Sequence, residues 1–118
     1  MGIFDKVVSR KSEDENIEEF LNNLDVSADE MYDNADALVK PMSLEQDSDV
    51  QAAIAEVKKG NLLLLNIGDM SKRNAMKLRD LLSQIKDAAA QIDGDIARIS
   101  IDRVLVTPAK VKIIKRRA

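Results

Sequence analysis

Residues 61–101 read NLLLLNIGDMSKRNAMKLRDLLSQIKDAAAQIDGDIARISI, and the order of patterns in this stretch decides the fold. The opening NLLLLNI is a short apolar run between turn-forming residues, which predicts a strand covered on both faces. Residues 68–94 predict one long helix, capped by Asp69 or Ser71 and ended by Gly94. DIARISI alternates apolar and polar residues, as a half-buried strand does. The stretch is therefore predicted to be a strand–helix–strand unit.

The flanking sequence completes a two-layer domain over residues 37–118. ALVKPMSL is extended, with Pro41 suited to an edge strand, and a helix follows that begins at Asp47 or Ser48 and ends at Gly60. DRVLVTP and AKVKIIK predict two further strands at the end of the chain. The order β-α-β-α-β-β-β predicts an α+β fold, a two-layer α/β sandwich with two helices packed on a roughly five-stranded sheet.

The long helix carries a wider apolar arc than one sheet face requires. The arc spans about 140° at 100° per residue, against the ~100° stripe of an ordinary surface helix. Leu81 and Ala88 widen it. We therefore predict that these two residues contact a second copy of the chain.

Composition excludes most catalytic chemistry. The 118 residues contain no cysteine and no histidine, which removes thiolate sites, the commonest metal ligand and the commonest general base. No phosphate-binding glycine loop and no nucleophile motif is present. The sequence DGD at residues 93–95 is interpreted as a helix end rather than a cation site. We expect no enzyme activity, no cofactor and no metal.

Charge divides the chain into segments. Residues 1–11 carry a net charge of +2, residues 12–39 of −10 and residues 40–118 of +5. Residues 12–36 are predicted to be a flexible, extended acidic linker, because such a composition buries little and repels itself. Four apolar residues within it recur at helical spacing behind Asn16: Ile17, Phe20, Leu21 and Leu24. They predict either a transient helix in the linker or a docking segment.

The first eleven residues, MGIFDKVVSRK, combine an apolar flank with a basic rim. This pattern is typical of an amphipathic helix that lies in a membrane interface, although a frayed terminus or a helix docked on the domain would also fit. The residues predicted to bind the membrane are Met1, Ile3, Phe4, Lys6, Val7, Val8, Arg10 and Lys11. Each basic residue near an anionic surface contributes about 1 kcal/mol, so one copy binds weakly and an oligomer is favoured. The stretch lacks the features of a secretory signal, and we expect an intracellular protein.

The core sequence resembles the SepF family of cell-division proteins over about residues 36–115. The resemblance is carried by LVKPMSLEQDSDVQAAIAEVKKGNLLLLNI, GDMSKRNAMKLRDLLSQIKDAAAQIDGDIARIS and RVLVTP, in this order and at the family's spacing. The start MGIFDK and the acidic linker are also similar to those of SepF proteins. Among SepF proteins, this sequence resembles the archaeal version of the family.

The resemblance implies a function in division at the septum. SepF proteins are adaptors that tether the tubulin-like protein FtsZ to the inner face of the cytoplasmic membrane at the division site. Their dimeric core binds the C-terminal tail of FtsZ, and their N-terminal helix inserts into lipid. Asp87 stands where bacterial relatives commonly have a glycine that is linked to assembly beyond the dimer, so a discrete dimer is expected.

The resemblance also implies residues that bind the FtsZ tail. Arg98 matches a basic position of the family's pocket, Val104 a position that is often Phe, and Met76 a helix position that affects binding. Lys77 and Arg103 would add charge complementarity. Each of the first three also has an ordinary structural explanation. Arg98 could be a solvated strand residue, Val104 a core strand residue and Met76 an isolated exposed residue. The alternative function is a nucleic-acid-binding module that uses the basic core and the KIIKRRA end, although three aromatic residues argue against base stacking.

Overall fold

The computed structural model describes residues 16–26 and 30–116, which belong to two compact units divided at residue 36. In the first unit, residues 16–24 form helix α1 and Glu30–Asp33 form the short helix α2. Helix α1 covers the four apolar residues whose spacing predicts a helix, whereas α2 lies in a part of the linker that was predicted to be extended. Residues 1–11, predicted to bind the membrane, lie outside the described residues.

The second unit contains the predicted core domain. Its elements in chain order are β1 (Val39–Ser43), α3 (Asp47–Lys58), β2 (Leu62–Asn66), α4 (Gly68–Arg73), α5 (Ala75–Gln91), β3 (Asp95–Ser100) and β4 (Arg103–Thr107). The sheet order is β1-β2-β4-β3, with β1 and β2 parallel and the other neighbours antiparallel. The α+β prediction is confirmed. The described residues form four strands rather than about five, because residues 111–116 do not form a strand.

One face of the sheet forms the core with the helices. Leu63 and Leu65 of β2 and Val104 and Val106 of β4 are buried at alternate positions, beneath the buried stripes of α3 and α5. Full burial of one such aliphatic side chain stabilises the fold by about 1.5–3 kcal/mol. The intervening residues of β2 and β4 lie on the opposite face, where Leu64 is only half-buried. The second face of the sheet is thus uncovered within this domain.

The prediction of one long helix over residues 68–94 is wrong, because the chain leaves the helical conformation at Asn74. Its backbone has φ −156° and ψ 83°, and its side-chain Oδ1 accepts a hydrogen bond from the Lys77 amide at 3.1 Å. Asparagine favours this N-cap role because its short side chain competes for backbone donors. The predicted caps Asp69 and Ser71 instead lie inside the preceding helix α4.

Candidate functional site

An open groove of about 460 Å³ lies between α5 and the edge strand β3. It forms there because β3 is the last strand of the sheet, so α5 packs along it without a further strand beyond. Apolar side chains make up its floor: Leu78, Leu82, Ile96 and Val104. Such a groove, apolar at the bottom and open along its length, suits a peptide better than a compact small molecule.

The rim of the groove is basic. Arg79 and Lys86 line it from α5 and Arg98 lines it from β3. None of the three forms an ion pair with a carboxylate of the part of the chain that the structure describes. The groove therefore carries uncompensated positive charge beside apolar surface, which favours an anionic, partly apolar partner.

Arg98 is held in place by the β3–β4 turn. Its Nε donates to the Ser100 carbonyl at 2.9 Å and its Nη2 donates to the Ile101 carbonyl. The strand pairing shifts register between Arg98 and Ser100, which brings the turn carbonyls within reach of the guanidinium. Two of the five donors of Arg98 are used in this way, so the others can bind a partner.

The structure brings together two of the five residues predicted to bind the FtsZ tail. Arg98 lies on the rim of the groove and Val104, 4% exposed, lies in its floor. Met76 is 85% exposed in the first turn of α5, directly after the groove residue Ala75, but it does not line the groove.

Lys77 and Arg103 lie elsewhere. The Lys77 ammonium bonds Asp47 of α3 at 2.9 Å, and this hydrogen bond raises the pKa of Lys77. Arg103 lies on the uncovered face of the sheet, beside Leu64, and pairs with the neighbouring Asp102 at 3.2 Å. Neither lines the groove.

The two predicted dimer contacts differ in exposure. Leu81 has no exposed surface, because it packs inside the core of its own domain. Ala88 is half-buried. At Leu81, the wide apolar arc of α5 therefore packs against the core of the same chain and is not available to a second copy.

Sequence reasoning missed Arg79 and Lys86. They lie one heptad apart, and with Ala75 and Leu82 they follow an i, i+4, i+7, i+11 spacing along one flank of α5. This spacing was the available signal. It does not show which of the two polar flanks of the helix faces β3, because that depends on the sheet order.

The described residues contain no group of three or more acidic, cysteine or histidine residues that could hold a metal ion. In the same part of the chain, no helix has the length and apolar character needed to cross a bilayer.

The fold is similar to solved archaeal structures. These include a SepF-like protein from Archaeoglobus fulgidus (TM-score 0.62, 21% identity, covering 69% of this chain and 96% of that chain) and one from Pyrococcus furiosus (TM-score 0.59, 24% identity, 64% and 92%). A third is the cell division protein SepF from Methanobrevibacter smithii in complex with FtsZ-CTD (TM-score 0.57, 12% identity, 68% and 99%). At these identities the likeness is one of fold. No curated protein sequence matches the chain.

The family model described as "Cell division protein SepF" matches residues 38–113, well over half of the chain. The chain belongs to the SepF family. The resemblance drawn from the sequence motifs is thereby confirmed. In this SepF protein the groove, β3 and α5 all lie within the matched residues.

Proposed function

We propose that this SepF protein is a cell-division adaptor that binds the C-terminal tail of FtsZ in the groove between α5 and β3. The observation that carries the proposal is the basic rim of Arg79, Lys86 and Arg98 around an apolar floor, with no carboxylate among the described residues to neutralise it. A short peptide with both apolar and acidic residues matches this surface. The solved complex of the M. smithii protein with FtsZ-CTD supports the choice of partner.

The experiment is calorimetric titration of the full chain with a synthetic peptide of the FtsZ C-terminal tail from the same organism. Arg98→Glu should weaken binding about tenfold or more, because it places a like charge beside the acidic part of the peptide. Arg79→Glu should do the same, and it leaves the β3–β4 turn contacts intact. Lys58→Glu, an exposed reversal on α3 away from the groove, is the control. If both arginine variants bind the peptide with unaltered affinity, the groove is not the binding site. If the unmodified chain does not bind the peptide, the FtsZ proposal is contradicted.

The same proposal includes a lipid anchor. Residues 1–11 bind the inner face of the cytoplasmic membrane, preferably where anionic lipid attracts their basic rim, and place the protein at the division site. Three basic residues offset by Asp5 give only weak, reversible attachment. Two linked copies bind far more firmly than one, because the second attachment becomes intramolecular.

The second copy comes from a homodimer. Because Leu81 is buried, the surface we propose for self-association is the uncovered face of the sheet. Half-buried or exposed apolar residues cover much of it: Val39, Leu62, Leu64 and Leu105. A two-layer fold leaves this face open to water, and a symmetric pair of sheets would bury it on both copies at once.

Ion pairs at the C-terminal end argue against the nucleic-acid alternative there. Lys112 and Lys115 of the basic C-terminal end are paired with Asp93 and Asp95, so part of their charge is compensated within the domain. We propose no nucleic-acid partner.

A further inference from the structure

Residues 110–116, here called the C-terminal segment, are held against the turn between α5 and β3. The Lys110 amide donates to the Asp93 carbonyl at 2.9 Å, and the Ile113 amide donates to Oδ2 of Asp95 at 2.9 Å. Lys112 Nζ donates to Oδ1 and the carbonyl of Asp93 and to the carbonyl of Gly94, at 2.8–3.0 Å. The segment is thus placed by side-chain and turn contacts instead of by strand pairing.

This placement creates a second cavity at the C-terminal end of α5. The cavity measures about 330 Å³, and its lining includes Lys86 and Ala90 of α5, Ile96 of β3 and Lys115 of the C-terminal segment. Lys86 and Ile96 also line the groove. The second cavity therefore adjoins the groove, and Lys115 of the C-terminal segment forms part of its lining.

Positive charge predominates in the second cavity. Asp95 is neutralised by Lys115, whose Nζ lies 2.5 Å from its Oδ1, and it also accepts the Ile96 and Ile113 amides. Lys115 is half-exposed and spends only one of its three donors on Asp95, and Lys86 forms no ion pair with any described residue. Both lysines line the second cavity, and both retain ammonium donors for a further partner.

We propose that the second cavity is a subsite for an acidic residue of the peptide that occupies the groove, with Lys86 and Lys115 binding its carboxylate. This inference rests on the proposed function, since it assumes a peptide in the groove. Asp93 and Asp95 act as positioning residues, because they hold the segment that carries Lys115. The groove and its basic rim favour an anionic, partly apolar peptide, and the subsite adds a requirement for a carboxylate at the matching distance.

The test is a double-mutant cycle with FtsZ tail peptides in which each acidic residue is replaced in turn by its amide. Lys86→Gln and Lys115→Gln should each weaken binding of the unmodified peptide about two- to fivefold, the range of an exposed ion pair. At one acidic position of the peptide, the loss of affinity from the amide replacement and the loss from either lysine substitution should not add. The reason is that both changes remove the same lysine–carboxylate contact. Lys115→Arg, which keeps the charge and the Asp95 pair, should bind as the unmodified chain does. Lys58→Gln, an exposed lysine outside both cavities, should also leave the affinity unchanged.

The positioning role has its own readout. Asp95→Asn keeps Lys115 but removes its ion pair, so it should weaken the same peptide and speed tryptic cleavage after Lys112. If the losses of affinity from the protein and peptide substitutions add at every acidic position of the peptide, the proposed subsite is wrong. If the peptide binds and Arg98→Glu weakens it while Lys86→Gln and Lys115→Gln do not, the subsite alone falls. If the unmodified chain does not bind the peptide, the proposed function falls with it.

Discussion

Gly94 is required by space rather than by an unusual backbone angle. A Cβ built on it would lie 2.2 Å from the carbonyl oxygen of Thr107, at the junction of β3 and the end of β4. Backbone cannot yield as the end of a side chain can, so Gly94→Ala should lower the free energy of unfolding by about 1–3 kcal/mol or more. Urea denaturation measures this change.

Gly68→Ala is the matched control for this prediction. A Cβ at Gly68 would meet only side-chain atoms, the nearest being Asn66 Oδ1 at 3.3 Å. Equal losses in the two variants would show that crowding at Thr107 is not the cause.

Asp95 makes stability depend on pH. The Lys115 ammonium, followed by the Ile113 amide, lowers the pKa of Asp95 from 3.8 to about 2. Because the folded state binds this proton less tightly than the unfolded chain, the contribution is present above about pH 4 and is lost as the pH falls toward 2. Asp95→Asn should therefore flatten the fall in unfolding free energy between pH 4 and pH 2. Denaturation curves at several pH values check this, with the exposed Asp87→Asn as the control that should follow the unmodified chain.

At the scale of elements, Asn74 separates α4 from α5 and starts the helix that carries the groove. Its side chain satisfies the Lys77 amide, which is otherwise an unpaired donor of the first turn. Asn74→Ala should cost about 1 kcal/mol of unfolding free energy, whereas Asn74→Ser, which retains an N-cap oxygen, should cost less. Urea denaturation separates the two. Equal losses would mean that the cap does not set the start of α5.

The C-terminal segment shows why an element was predicted wrongly. AKVKIIK alternates as a strand does, yet residues 111–116 form none. The amide of Ile113 is taken by the Asp95 carboxylate and the hydroxyl of Thr107 donates to the Val111 carbonyl. Side chains at the start of β3 and at the end of β4 thus satisfy backbone groups that a ladder would otherwise pair.

At the scale of the whole molecule, membrane attachment should depend on the first eleven residues. Deletion of residues 1–11 should abolish co-sedimentation with anionic vesicles while leaving the core folded and dimeric, because these residues carry the amphipathic, basic pattern that we propose inserts into lipid. Circular dichroism and sedimentation velocity check the core. Undiminished co-sedimentation would contradict the anchor.

Attachment should also depend on the number of copies. Leu64→Lys on the uncovered sheet face should produce a monomer and weaken vesicle binding at least about tenfold, because the avidity of two linked anchors is lost. Gln51→Lys adds the same charge to the exposed side of α3 and should change neither property. A Leu64→Lys chain that remains dimeric would exclude the sheet face as the interface.

The sequence by itself determined the fold class, the family and the division of the chain by charge. The apolar run at residues 62–65, the alternation in β3 and the long amphipathic helix are local patterns, and their periods follow from the backbone geometry of strands and helices. Such periods can be predicted because each depends only on neighbours along the chain. Arg98 and Val104 were instead named by the resemblance to the SepF family, which local periodicity does not supply.

Only the tertiary structure decided which of these residues share a surface. The order β1-β2-β4-β3 places β3 at the edge beside one flank of α5, which brings Arg79 and Lys86 to the groove. The same packing buries Leu81 and turns Arg103 to the other face of the sheet. Helical periodicity defines the flanks of α5 but not what lies against each. That is decided by burial of the whole core, which joins residues far apart in the sequence.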